Sequence, residues 1–113
     1  MAFSFFYMMV LFGAVFMFVA AVLYRFPPKT INSGYGYRTP ASMESPERWT
    51  FAQRFSAIAM FQSGLGLVVV SVLGFWSPFS QKANNIMAWS AFILAVILMV
   101  YRTEKAIKIK FPN

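Results

Sequence analysis

The sequence predicts an all-α membrane protein: three transmembrane helices and an ordered cytoplasmic loop that contains a short helix. Three observations carry this. Of 113 residues, 59% are hydrophobic and only 12% charged, whereas a soluble domain averages about 25% charged residues. The 14 Phe, 8 Met and 3 Trp are more apolar surface than one small soluble core can hide. The charges are also unevenly spread, because residues 1–24, 55–81 and 83–101 carry none. A helix rising about 1.5 Å per residue needs about 20 apolar residues to cross a hydrocarbon core. Each uncharged run meets that length, and inside a bilayer the backbone must bond within its own segment, so each is a helix. The spans are placed near 3–24, 55–77 and 84–101, in one transmembrane domain over 1–113.

Span one has no basic side chain between Met1 and Val22. Its apolar stretch is also too long for a signal peptide, which makes it a retained anchor. Phe26-Pro27-Pro28 ends it, because Pro cannot continue a helix. Ser77-Pro78 breaks span two in the same way, and Asn84 of the Asn84-Asn85 pair is a candidate N-cap for span three. Tyr24, Trp49, Trp76, Trp89 and Tyr101 fall near span ends, where amphipathic rings prefer the headgroup level.

Orientation follows from the basic residues. The 25–54 connection holds Arg25, Lys29, Arg38, Arg48 and Arg54, and the basic tail over 102–113 holds Arg102, Lys105, Lys108 and Lys110. The opposite connection holds only Lys82. The rule that cytoplasmic loops are rich in Lys and Arg puts the long connection and the C-terminus inside and the N-terminus outside a bacterial inner membrane. The net charge of +7 is then a topology record, and no nucleic-acid partner is implied.

The 25–54 connection is too patterned for a linker. Gly34 and Gly36 permit positive φ or close backbone approach around Tyr35 and Tyr37. Ser45-Pro46-Glu47 reads as a helix start, with Ser as N-cap, Pro at the first position and Glu in the first turn. That helix either lies on the membrane surface or runs straight into span two. The lack of Pro and Gly between Pro46 and Gly64 favours the continuous form.

The run Gly36-Tyr37-Arg38-Thr39-Pro40-Ala41-Ser42-Met43, followed by Ser45-Pro46-Glu47-Arg48-Trp49 and Ala52, resembles the signature of the SdpI family of small bacterial membrane proteins. Pro28-Lys29 and Ile31-Asn32 fit the same setting. Ala41 and Glu44 stand where the family usually carries basic residues, which weakens an anion-binding role for the loop. The resemblance implies a non-catalytic interaction protein, acting by binding in toxin immunity or membrane-linked signalling. The alternative is an accessory subunit of a larger inner-membrane complex, with a small transporter third.

Candidate binding residues lie in the loop: Arg38, Thr39, Ser42, Arg48, Trp49 and Arg54. Arg forks suit a lipid phosphate or a partner's carboxylate. The plainer reading is topology anchoring with pairing to Glu44 and Glu47, and Glu44 and Arg48 have i,i+4 spacing. Candidate helix-packing residues are Gln62, Ser63, Gly64 and Gly66 in span two and Ala91 and Ala95 in span three. The tail from Lys105 to Lys110 alternates basic and apolar residues and fits anionic lipid or a small adaptor segment.

No ionisable residue lies within a span, which argues against an ion relay. With neither Cys nor His and only three acidic residues, no catalytic group, metal or cofactor is expected. The expected partners are the bilayer, anionic headgroups, and other membrane proteins in a hetero-complex or homo-oligomer.

Overall fold

The computed structural model describes residues 3–112, so Met1 and Ala2 of the expected anchor and Asn113 of the expected tail lie outside it. Among the described residues there are three long helices and no strand. α1 spans Phe3–Arg25, α2 spans Pro46–Ser71 and α3 spans Gln81–Lys110. A short 3-10 segment, Val72–Trp76, extends α2 before Ser77-Pro78 ends it. All three helices are long and apolar enough to cross a membrane. They run up, down and up, so the end of α1, the start of α2 and the end of α3 meet at one end of the bundle, with Lys82 at the other.

Two helices extend well beyond the predicted spans. α2 begins at Pro46, with the Ser45 hydroxyl accepting the Arg48 N–H at 3.1 Å. The short loop helix is therefore the first turns of α2, continuous with the span. α3 begins at Gln81 under a Ser80 cap, not at Asn84. Asn84 instead sits buried in the first turn, where its side-chain oxygen accepts the Ser77 hydroxyl at 2.6 Å and ties the 77–80 connection to the helix. At its other end α3 continues to Lys110, because nothing interrupts it before Pro112. Residues 102–110 are thus helix and not a separate tail, and Thr103 and Ile107 within them are fully buried. A helix of 30 residues is about 45 Å long, against a hydrocarbon core of about 30 Å. The surplus, with the first turns of α2, forms the platform on which the loop rests.

The membrane-spanning part is held by close approach of α1 and α2. A Cβ added to Gly13 would lie 2.5 Å from the Gly64 carbonyl oxygen, and one on Gly64 would lie 2.7 Å from that of Gly13. The two backbones touch, which only glycine permits. Farther from the loop, a Cβ on Gly74 would lie 2.8 Å from the Phe6 nitrogen. Phe5, Met9, Phe16, Leu67, Ala88 and Ala95 form the buried cluster around this seam. Phe12 and Phe92 join it with ring centroids 4.9 Å apart.

The candidate packing residues occupy different environments. Gly64 is on the α1 seam, Ala95 is buried in the cluster, and Ala91 packs against it. Ser63 is half-buried, and Gln62 accepts a hydrogen bond from Arg102 of α3 at 2.8 Å. Gly66 faces outward, and a Cβ there would meet nothing within 4 Å. Close approach therefore runs through Gly64 and Gly13, which the spacing of small residues does not reveal.

Candidate functional site

The loop between α1 and α2 is built on short-range bonds and then clamped to the helices. Asn32 starts it: its side-chain oxygen accepts the N–H groups of Gly34 at 2.8 Å and Tyr35 at 2.7 Å, an Asx-type turn. The Tyr35 hydroxyl returns to the Phe26 carbonyl at 2.8 Å, closing the turn on the end of α1. Gly36 then adopts φ 107°, the left-handed region that disfavours side chains. A Cβ there would also lie 2.5 Å from the Gln53 side-chain oxygen. Gly34 has no positive φ, so only one of the two glycines is required by geometry.

Gln53 of α2 is the clamp. Its Oε1 accepts the Tyr37 N–H at 2.7 Å, and its Nε2 donates to the Tyr37 carbonyl at 2.8 Å. One side-chain amide thereby satisfies both backbone groups of a buried loop residue, as a neighbouring strand would. One turn earlier, Trp49 is fully buried and donates its indole N–H to the Pro28 carbonyl at 2.8 Å. It holds the loop's first segment and is not a headgroup-level ring. Ser42, also fully buried, accepts the Thr39 N–H at 2.9 Å.

α3 provides the second anchor. Oε2 of Glu104 accepts the Tyr37 hydroxyl at 2.7 Å and the Thr39 hydroxyl at 2.8 Å. Burial, and then the adjacent Glu104 carboxylate, push the Tyr37 phenol well above its ordinary range. Beneath this bond, Tyr37, Ala52 and Ile107 form a small apolar cluster. Among the described residues no buried side-chain nitrogen or oxygen lacks a partner.

Next to the clamp lies a groove of about 470 Å³ between the loop's last turn, the start of α2 and the end of α3. Glu44, Arg48, Glu104, Lys105 and Lys108 provide its charges. Arg48 pairs with Glu44 at 2.9 Å and donates to the Phe111 carbonyl at 2.9 Å. The expected i,i+4 pair is therefore present, and it also ties α2 to the end of α3. The groove offers charge and hydrogen bonds, suited to recognition. Among the described residues, no three His, Cys, Asp or Glu side chains come together as a metal-holding group.

The predicted loop residues do not converge on one pocket. Thr39, Ser42 and Trp49 belong to the internal clamp, and Arg48 lines the groove. Arg38 is exposed and donates to the Ser33 carbonyl. Arg54 faces the α1 side, donating to the Tyr24 hydroxyl at 3.1 Å. Sequence reasoning misses Gln53 and Glu104. Signals for both exist, since Gln53 lies one turn after Trp49 and Glu104 is the lone acid in a basic stretch.

The profile of the SdpI/YfhL protein family matches residues 29–102, which contain most of the loop, all of α2 and most of α3. The chain belongs to the SdpI/YfhL family. One relative, the uncharacterized protein YfhL of Bacillus subtilis strain 168, is 37% identical over 100 residues, covering 86% of this chain and 84% of that protein. No solved structure matches the chain. Family membership and the three apolar helices together describe a membrane protein, and the family match takes in most of the clamped loop.

Proposed function

We propose that this SdpI/YfhL family member acts by binding, without catalysis, in toxin immunity or membrane-linked signalling. The observation that carries the reading is the loop end. A 20-residue connection between α1 and α2 is held by paired buried polar groups, and it presents a groove bearing both charges. Orienting a helix hairpin needs none of this. A fixed surface of mixed charge suits recognition of a peptide or protein at the membrane, because preorganisation lowers the ordering cost of binding. The excess of Lys and Arg at this end supports its lying in the cytoplasm of a bacterium, with the N-terminus outside the inner membrane. The accessory-subunit reading draws on α3, the least enclosed helix, with 17% of its most apolar window buried against 28% in α1 and α2.

The test is protection. Expressed in a susceptible bacterium, the chain should raise survival against a secreted membrane-damaging peptide. Lys105→Glu with Lys108→Glu, both on the groove wall, should abolish protection at equal membrane abundance, while Lys82→Glu at the far end should retain it. No protection by the native chain, with a stable set of co-purifying membrane subunits, would favour the accessory role.

A further inference from the structure

Two adjoining cavities on the α1–α2 face share Tyr24 as a wall and differ in chemistry. The upper one, about 330 Å³, lies at the loop end and is lined by Leu23, Pro28, Lys29, Thr50 and Arg54 among others. The lower one, about 410 Å³, continues along the helices and is lined by Ala20, Ala21, Ala57, Ile58, Phe61 and Gln62 with Tyr24. Each is the size of a small-molecule site, which runs from roughly 300 to 1,000 Å³. No carboxylate lines either one, unlike the groove beside Glu104.

We propose that these cavities form one binding site for an anionic phospholipid, its phosphate between Lys29 and Arg54 and an acyl chain in the groove below. The arrangement has the order of a lipid: charge at the end of the bundle, hydrocarbon farther into the span. Arg54 and Lys29 are exposed on the upper cavity, and the Thr50 hydroxyl adds a donor beside them. Tyr24 positions Arg54, accepting its hydrogen bond at 3.1 Å with the guanidinium 5.4 Å from the ring centre. A guanidinium held at one nitrogen keeps other N–H groups for a phosphate oxygen. Below it, Ala20, Ala21 and Ala57 make a shallow floor, while Tyr24, Ile58 and Phe61 stand as walls. Because this floor lies on spans one and two, its surroundings are lipid, and the chain that fills it need not leave the bilayer. Charge complementarity selects an anionic headgroup over a zwitterionic one.

The site shares no lining residue with the Glu104 groove. The test uses the purified full chain in detergent, titrated with dioleoyl phosphatidylglycerol or dioleoyl phosphatidylcholine and read by native mass spectrometry. Phosphatidylglycerol should be retained one-to-one and preferred. Lys29→Ala with Arg54→Ala should weaken binding of that lipid by tenfold or more. Ala21→Trp, filling the groove from an exposed position, should weaken both lipids and leave the charges in place. Arg38→Ala, basic and at the same end, should change nothing. Equal retention of the two lipids would mean annular lipid only and would overturn the site. So would unchanged binding by the double or the Trp variant, an equal loss in Arg38→Ala, or glycerol phosphate alone binding as tightly as the lipid.

Discussion

Around Gly13 and Gly64 the helices are held by backbone contact and apolar side chains. About 16 Å along α2, around Gln53 and Trp49, the same helix holds a loop with a side-chain amide and an indole. Lipid competes for apolar surface almost as well as protein does, so the first region depends on shape, and two glycines meet where any Cβ would collide. The second region takes backbone polar groups out of water, so each must be given a partner, because an unpaired buried group is costly. The seam therefore rests on shape, and the loop end on individual polar contacts.

Four changes test that contrast. Gly64→Leu should have the largest effect, since a Cβ would lie 2.7 Å from the Gly13 carbonyl oxygen. Overpacking against backbone should cost about 3 kcal/mol or more, seen as loss of the monodisperse folded species in detergent. Gln53→Ala should cost about 2–3 kcal/mol, leaving the Tyr37 N–H and carbonyl buried without the Gln53 amide. Here the helices should persist by circular dichroism while limited proteolysis opens the loop.

Alkaline pH should act more gently and only at the loop end. The Tyr37 phenol is raised above its ordinary value by burial and Glu104, whereas an unfolded tyrosine titrates near 10. The stability it contributes is fully present below about pH 10 and is lost as pH rises through its folded-state value. Loop opening by proteolysis should therefore grow in the alkaline range, and Tyr37→Phe should remove that dependence. Gly66→Ala should do least. Open space surrounds it, and replacing a mid-helix glycine stabilises by up to about 1 kcal/mol, so thermal stability should stay level or rise slightly.

The same contrast explains what can be read from sequence. The three spans are visible because hydrocarbon imposes length and apolarity on every residue of a span, and the start at Ser45-Pro46 is visible because capping is local. Continuity of α2 follows from the absence of Pro and Gly. The extension of α3 is hidden because Arg102 and Lys105 look like the edge of a membrane span, although charge does not end a helix. Trp49 reads as a headgroup-level ring because it lies next to a span. Its indole bonds to the Pro28 carbonyl, 21 positions earlier. Gln53 and Glu104 stay hidden for the same reason: what they bond to lies 16 and 67 positions away. Gly13 is equally silent, since its partner is on another helix.

Gln53 holds the α1–α2 loop as a fixed part of the fold. Amide hydrogen exchange at Tyr37, measured on the full chain in a lipid nanodisc, tests it most directly, because that N–H donates to the Gln53 side chain. Protection comparable with the α2 amides near Gln53, falling in Gln53→Ala to the rate of an open loop while α2 stays protected, is the predicted result. Exchange of the native Tyr37 amide at the rate of an unstructured peptide would contradict it.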